Sequence, residues 1–501
     1  MILGTASHVG KSMLTAGLGR IFSDEGTRVA PFKAQNMSLN SAATPDGCEI
    51  GRAQALQAEA CRVPPVAEMN PILIKPTSET GSQIVLLGRV WGQVTASDYH
   101  QRRVEDLFPA VLQSYRTLAE RYDLILLEGA GSPAEINLRK HDIVNMRMAH
   151  AADAACLLVG DIDRGGVFAA LLGTIELLEP EDRARIRGFV INKFRGDIAL
   201  LNSGIEMMER RLGIPCAGVV PFLRGLGLEE EDSVALEDRR TLARVWQAAD
   251  TRERPLRVGV LAFPHLANFT DFDALKMEPS VSLAFLEDLE TAGLADVLIL
   301  PGSKQTLDDL AWLRARGFAE FLRTYPGVLI GICGGFQMLG LSIADPLGVE
   351  SAGEARTAPG LGTLQLRTIL RNAKTVHRAA GRARIPGTPS FSGYEIHMGE
   401  THYENGAEPF ANILREGEQQ TVRDGSISSS GRVWGTYVHG IFDDDFFRHR
   451  FLDSTRDACG LAPAEIRVCV TAERQARIDR WADHLRQSLD LNLIRGWANK
   501  S

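Results

Sequence analysis

Short, nearly continuous apolar runs alternate with amphipathic stretches from the N-terminus to about residue 225. Most of these runs are followed at once by a polar residue or glycine, a pattern that predicts buried strands of a mostly parallel sheet connected by helices. The runs cover residues 124–127, 155–159, 189–191 and 217–220. Because the carboxyl ends of parallel strands share one edge of the sheet, we expect a ligand site at that edge.

A second alternating series follows a stretch rich in Glu, Asp and Arg. Its apolar runs cover residues 257–263, 297–300, 328–332 and 433–438. Beyond them, Ile478, Trp481, Leu485 and Leu489 recur at three- and four-residue spacing, which predicts one amphipathic helix packed on the body of the protein. We therefore predict an α/β chain with a first domain over 1–228, a charged linker over 229–255, a second domain over 256–450 and a helical tail over 451–501.

Composition narrows the class of protein. The 55 Lys and Arg against 63 Asp and Glu give a net charge of −8, so the sequence predicts no nucleic-acid partner. The seven cysteines are odd in number and never form C-x-x-C, which favours reduced thiols. No run of 18 apolar residues and no signal peptide is present, so we expect a cytoplasmic protein that binds small molecules rather than a membrane.

The chain begins with a candidate phosphate loop, GTASHVGKS at residues 4–12. Gly10, Lys11 and Ser12 coincide with a predicted helix start, whose free N–H groups bind phosphate. Lys11 would hold the phosphates of a nucleotide, with Gly4 and Thr5 in the loop, and Ser12 would bind Mg²⁺. A glycine turn before an ordinary helix is the alternative. Only three residues precede the loop, so either the first strand is short or the native start lies upstream.

Further polar residues follow strands in the same half. Glu128 stands at a strand end before a glycine turn, which favours it as a second Mg²⁺ ligand. Asp46 is a weaker metal candidate, because a loop Asp is usually a turn residue. The run 161–164 (DIDR) before two glycines suits a metal and phosphate site. Asn192 would hydrogen-bond a purine edge, although an Asn at a strand end caps helices equally often.

The second half contains a buried strand, a glycine-flanked cysteine and a helix start, in GICGGFQML at residues 331–339. This is the elbow arrangement that exposes a nucleophile on a strained turn, with Cys333 as the nucleophile. Gly331 and Gly335 leave room for that turn, and the helix N-terminus favours the reactive thiolate. A buried structural cysteine is the alternative.

Three other residues would complete the chemistry of the cysteine. Gly302 and Gly334 offer backbone N–H groups for an oxyanion hole. His439, at a strand end followed by a glycine, is the preferred base, and His397 is the competing one. A phosphate loop and a Cys–His pair in one chain suggest that ammonia is released from an amide and then used on a carboxylate activated by ATP.

With these motifs in place, the sequence closely resembles the cobyric acid synthases over nearly its whole length. The resemblance rests on GTASHVGKS at 4–12, AQNMSLN at 34–40, EGAGSPAE at 128–135, DIDRGGVF at 161–168, INKFRGD at 191–197 and the elbow around Cys333. It implies that the first domain is similar to dethiobiotin synthetase and the second to class I glutamine amidotransferases.

The same resemblance implies a reaction. ATP would phosphorylate the b, d, e and g side-chain carboxylates of adenosylcobyrinic a,c-diamide, and ammonia from glutamine would convert each to an amide, giving adenosylcobyric acid. It also implies that Lys33 lies beside the transferred phosphoryl group.

Two other functions and one residue role stay open at this point. Cobyrinic acid a,c-diamide synthase shares both halves, and a partitioning-type switch ATPase shares the loop but has no use for the elbow. Many class I amidotransferases carry Glu two residues after the histidine, where this chain has Ile441. The group that orients His439 is therefore undecided among Asp443, Asp444 and Glu395.

Overall fold

The protein consists of two compact units that are not contiguous in sequence. A computed structural model describes residues 1–77, 81–95, 99, 103–228, 246, 252–351 and 353–498. Unit 1 contains Met1–Ser38, Ile50–Glu229 and Arg474–Ser501, and unit 2 contains Leu39–Glu49 and Glu230–Glu473. Most of the predicted linker lies outside the described residues, and the boundaries at 228, 255 and 450 stay predictions.

Unit 1 is built on a parallel sheet. Its strands, in spatial order, are Ile2–Gly4, Cys156–Asp161, Ile186–Phe194 and Cys216–Pro221. A parallel pair, Val29–Phe32 with Leu124–Leu127, continues this sheet through a bridge between Ile2 and Glu128. A smaller sheet contains Gln35–Met37, Ile72–Pro76, Gly81–Leu86 and Arg89–Thr95. The predicted parallel sheet is confirmed, and the first strand is three residues long.

Both faces of the unit 1 sheet are buried, which explains its continuous apolar runs. Leu157 and Val159 pack on one face and Leu158 on the other. The predicted helix with Trp481 and Leu485 is confirmed and belongs to the first of these clusters. The helices of this unit are Lys11–Asp24, Arg52–Ala60, Phe108–Ala119, Met146–Ala151, Val167–Leu177, Pro180–Arg183, Asn202–Leu212 and Leu491–Ala498, with Val470–Ser488 entering it at Arg474. Short helical turns lie at Ala67–Met69, Arg103–Leu107, Ile136–His141 and Ile198–Leu201.

Unit 2 contains a second parallel sheet. Its strands, in spatial order, are Val281–Leu286, Leu256–Leu261, Val297–Leu300, Val328–Ile332 and Val433–Thr436, with Ser426–Ile427 antiparallel at the edge. A seven-stranded sheet contains Arg356–Pro359, Ser342–Asp345, Leu366–Ala383, Ser390–Tyr403, Val438–His439, Ala411–Arg415 and Thr421–Asp424. The predicted α/β class is thus confirmed in both units.

The run 433–438, predicted as one strand, is divided between the two sheets of unit 2. The strand Val433–Thr436 lies in the parallel sheet and Val438–His439 in the other. The two strands separate where backbone N–H groups donate to side chains instead of to a neighbouring strand. The N–H of Tyr437 donates to the Asp424 carboxylate at 3.0 Å, and the N–H of Val438 donates to the Thr436 hydroxyl at 2.9 Å.

The remaining elements of unit 2 are short. Two-residue strands Leu266–Ala267 and Gly302–Ser303 pair with each other, and the hairpin strand Ser41–Ala43 precedes Glu49–Gly51, where the chain returns to unit 1. The helices are Asp273–Met277, Leu289–Ala292, Thr306–Ala315, Phe318–Thr324, Gly334–Leu339 and Asp445–Ala458, with helical turns at Phe269–Phe272 and Ile441–Asp443. In the described part of the chain, no helix is long and apolar enough to cross a bilayer.

Candidate active sites

The phosphate loop of unit 1 connects the first strand to the first helix. That helix starts at Lys11, as predicted, and Gly10 caps it with a φ of 98°. The Lys11 ammonium donates to the carbonyl oxygens of Ala6 at 2.9 Å and Gly131 at 3.0 Å. The loop therefore curves around the lysine at the start of the helix, the position where helices bind phosphate.

The start of the loop is fixed by its backbone. Thr5 extends the sheet by donating its N–H to Val159 O at 2.9 Å. A Cβ at Gly4 would lie 2.6 Å from a methyl group of Val9 and 3.0 Å from Ala6 O, so only glycine fits there. Both residues shape the loop through the main chain, and their contact with a nucleotide stays a prediction.

A buried carboxylate, Glu128, stands beside this loop. It accepts hydrogen bonds from the Ser12 hydroxyl at 2.8 Å and the Gln57 amide at 2.6 Å, and it pairs with the Lys33 ammonium at 2.8 Å. The structure thus brings together Ser12, Lys33 and Glu128. Sequence reasoning missed Gln57, which lies in the middle of the helix Arg52–Ala60 and in no recognisable motif.

The donor chemistry next to the loop fits Mg²⁺. The ion takes oxygen ligands and usually binds one or two protein groups together with water and substrate phosphate. Ser12 and Glu128 offer a hydroxyl and a carboxylate in contact with each other. Among the described residues there is no group of three or more His, Cys, Asp and Glu side chains that could hold a metal ion.

Asp46, the other predicted metal ligand, is not part of unit 1. It lies in the hairpin turn of unit 2, where its carboxylate accepts from the Thr44 hydroxyl at 2.5 Å. This is the turn role that a loop Asp commonly has. The structure does not group it with Ser12 and Glu128 in one unit, and its metal-binding role stays a prediction.

Asn192 and the neighbouring acidic run support the loop. The Asn192 amide donates to Val9 O at 2.8 Å, and a Cβ at Gly10 would lie 2.2 Å from its nitrogen. Lys193, with a φ of 60°, donates to His8 O at 2.6 Å and pairs with Asp161 at 3.0 Å. Because these contacts fix the loop backbone, Asn192 has a structural task there, and its purine contact stays a prediction.

The cysteine elbow of unit 2 has the predicted strained geometry. Cys333 follows the strand Val328–Ile332 and has a φ of 51° and a ψ of −109°. A Cβ at Gly335 would lie 1.9 Å from Leu300 O, and one at Gly331 would lie 2.6 Å from the backbone of Phe336. Both glycines are therefore required sterically, and the turn holds the cysteine at the start of the helix Gly334–Leu339.

His439 is hydrogen-bonded to a buried carboxylate. Its Nδ1 lies 2.6 Å from Asp271 Oδ2, while the Cys333 thiol donates to Ile396 O at 3.6 Å. Burial lowers the pKa of His439, but the negative charges of Asp271 and Cys333 outweigh burial and raise it to about 10. The imidazole therefore favours its protonated form.

The orienting residue is Asp271, which is none of the three candidates from the sequence. Its second oxygen accepts the Gly440 N–H at 3.1 Å, which fixes the carboxylate under the imidazole. Asp444 instead caps the helix Asp445–Ala458. Asp271 lies 168 residues before His439 in the sequence and stands in an ordinary polar context, so no local signal identified it.

His397, the competing base, is engaged elsewhere. Its Nδ1 lies 2.9 Å from Gly399 O, its Nε2 lies 3.3 Å from Glu395, and its ring stacks on Tyr437 at 3.8 Å. Burial raises the pKa of Glu395, but His397 and Arg415 outweigh it and bring it to about 2. The geometry favours His439 over His397 as the base.

The two predicted oxyanion residues lie beside this cluster. A Cβ at Gly302 would lie 3.4 Å from Cε1 of His439, and one at Gly334 would lie 2.9 Å from the backbone nitrogen of Ser303. Strand Gly302–Ser303 and the elbow therefore meet next to the imidazole. Their role as oxyanion donors stays a prediction.

Known protein families match the two halves of the chain that contain these two sites. Residues 1–233 match the CobQ/CobB/MinD/ParA nucleotide binding domain, and residues 257–447 match the CobB/CobQ-like glutamine amidotransferase domain. Proteins named cobyric acid synthase are 45% identical in Syntrophobacter fumaroxidans, 47% in Yersinia enterocolitica and 48% in Klebsiella pneumoniae. Each alignment covers 99% of this chain and 96–97% of the relative. The chain therefore belongs to the cobyric acid synthase family, the amidotransferase enzymes that act in cobalamin biosynthesis.

Proposed function

We propose that this enzyme uses ATP and glutamine to amidate the b, d, e and g carboxylates of adenosylcobyrinic a,c-diamide, giving adenosylcobyric acid. The observation that carries the proposal is the presence, in one chain of this family, of a phosphate loop beside Glu128 and a Cys333–His439–Asp271 cluster. We place the reaction in the cytoplasm, with glutamine, ATP and a corrinoid as substrates and neither nucleic acid nor a membrane as a partner.

Glutamine hydrolysis would take place at the elbow. The Cys333 thiolate attacks the amide carbon, backbone donors such as those of Gly302 and Gly334 stabilise the oxyanion, and the His439 imidazolium gives its proton to the departing ammonia. A water molecule, deprotonated by His439, then cleaves the thioester to release glutamate. Asp271 stays ionised throughout and holds the imidazole in the tautomer that both steps need.

Carboxylate activation would take place at the phosphate loop. A carboxylate oxygen of the corrinoid attacks the γ-phosphoryl group of ATP, ADP leaves, and ammonia then displaces phosphate from the acyl phosphate to form the amide. Lys11 and Lys33 would hold the phosphoryl oxygens as point charges. Mg²⁺ held by Ser12 and Glu128 would supply further neutralisation of the phosphate charge.

Product analysis with two variants tests the proposal. Wild-type enzyme with corrinoid, ATP and glutamine should yield a product with four new amides by mass spectrometry. Cys333→Ala should lose glutamine-dependent synthesis but retain it with free ammonia, while Lys11→Ala should lose both. Cys459→Ala, at an exposed cysteine, is the matched control. Two amidations of the unamidated corrinoid would instead assign the a,c-diamide synthase activity, and ATP hydrolysis without any amidation would assign a switch ATPase.

A further inference from the structure

A hairpin from early in the sequence forms part of unit 2. Leu39–Glu49 belongs to this unit, whereas its remaining residues begin at Glu230. The hairpin falls inside the stretch 1–233 that matches the nucleotide-binding family, and outside the stretch 257–447 that matches the amidotransferase family. Family matching would therefore assign these residues to nucleotide binding alone.

The peptide groups of one hairpin residue, Ser41, bind two side chains of unit 2. Its N–H donates to the Asn268 side-chain oxygen at 3.0 Å, and its carbonyl oxygen accepts from the Tyr394 hydroxyl at 3.1 Å. Both bonds are buried, where a backbone group left without a partner costs more than it does in water.

Asn268 and Tyr394 also contact the imidazole of His439. The amide nitrogen of Asn268 lies 3.3 Å from His439 Nδ1. The Tyr394 ring stacks on the imidazole, with ring centroids 5.5 Å apart and planes inclined by 20°. Ser41 is thus connected to the imidazole in two ways, once through Asn268 and once through Tyr394.

The hairpin is anchored well enough to hold both side chains in place. The Ser41 hydroxyl donates to Glu49 at 2.8 Å, and Glu49 forms a buried ion pair with Lys374. The Asn40 side chain accepts the N–H of Phe269, the residue after Asn268, at 3.1 Å. These bonds restrict the Ser41 peptide. Because that peptide hydrogen-bonds Asn268 and Tyr394, it also restricts where those two side chains lie.

We propose that hairpin 39–49 is a positioning element of the glutaminase site, in which the Ser41 peptide sets Asn268 and Tyr394 against the His439 imidazole. This rests on the proposed glutaminase role of Cys333 and His439. Ser41 touches no reacting atom, so its effect is on the orientation of the imidazole. Orientation governs proton transfer to ammonia, so kcat for glutamine should respond while KM should not.

The first test removes the hydroxyl bond to Ser41 and keeps the stacked ring. Tyr394→Phe should lower kcat for glutamine hydrolysis about fivefold, the size of one ordinary hydrogen bond, with KM unchanged and Tm somewhat lower because the buried Ser41 carbonyl oxygen loses this partner. Tyr403→Phe is the matched control, because Tyr403 lies on the same strand and its hydroxyl donates to Gly425 O at 3.0 Å. Equal losses in both variants, or none in Tyr394→Phe, would overturn the proposal.

The second test uses the left-handed backbone of Asn268, which has a φ of 53°. Asn268→Gly suits that conformation and removes both side-chain contacts, so kcat should fall more than tenfold. Asn268→Asp keeps an acceptor for the Ser41 N–H and should recover part of the loss. An Asp variant no better than the Gly variant would overturn the role of Ser41.

Ammonia-dependent synthesis separates this inference from the proposed function. Both sets of variants should make product from free ammonia at rates within twofold of wild type, because the hairpin acts on glutamine hydrolysis alone. A wild-type enzyme without glutaminase activity would refute the proposed function itself. Variants that lose the ammonia-dependent reaction as well would refute the inference.

Discussion

Asp271 offers the sharpest test of the glutaminase site. Asp271→Asn keeps the shape of the side chain and an oxygen for the Gly440 N–H, so the protein should fold. It removes the negative charge 2.6 Å from His439 Nδ1 and places an amide group against the ring, which favours the wrong tautomer.

The magnitude follows from the electrostatics of the pair. Opposite unit charges 2.6 Å apart attract by about 6 kcal/mol at an effective dielectric of about 20. The rise in the pKa of His439 from 6.5 to about 10 is the net result after burial has lowered it, and it corresponds to about 5 kcal/mol in favour of the imidazolium, a lower bound on what Asp271 and Cys333 supply together. If Asp271 supplies half, its loss costs about 2.5 kcal/mol, on the order of 50–100-fold in glutaminase rate.

The pH profile gives an independent readout. A raised pKa keeps His439 protonated through neutral pH, so wild-type activity should decline only as the pH rises toward about 10. In Asp271→Asn, burial still lowers the pKa and one of the two opposing charges is gone. The alkaline limb of kcat/KM should therefore move to lower pH.

Glutamate release from about pH 6 to about pH 10 would measure both effects. Asp182→Asn is the matched control, since Asp182 is a buried carboxylate 2.7 Å from His150 in unit 1. A variant at position 271 with wild-type rate and an unmoved alkaline limb would refute the reasoning.

Two further predictions concern the metal and the elbow. Glu128→Gln should reduce synthesis with glutamine or ammonia by orders of magnitude and leave glutaminase activity intact, because Lys33 loses its ion-pair partner and the proposed Mg²⁺ site loses its carboxylate; unchanged synthesis at low Mg²⁺ would make Glu128 structural. Gly335→Ala should destabilise the protein by about 1–3 kcal/mol or more and abolish glutaminase activity, since its Cβ would meet Leu300 O at 1.9 Å. Thermal unfolding would measure this against Gly173→Ala, which has no atom within 4 Å and should be neutral or stabilising.

Local sequence patterns were enough to identify the two chemical motifs and most of the strands. The phosphate loop and the elbow are local: their glycines, Lys11 and Cys333 lie within a few residues of one another, and steric rules for a tight turn apply wherever the chain folds. The buried strands could also be predicted from local sequence, because the strands of a sheet covered on both faces are continuous apolar runs.

The distant groups that complete these motifs could be identified only from the folded chain. Asp271, Gln57 and Ser41 stand in ordinary local contexts, and Asp271 meets His439 across 168 residues. Such pairings depend on how sheets and loops pack, and an Asp has the same local signature whether it caps a helix, as Asp444 does, or orients an imidazole, as Asp271 does. Local pattern therefore predicts the residues that shape a turn, while the groups that tune its chemistry emerge from packing over long sequence distances.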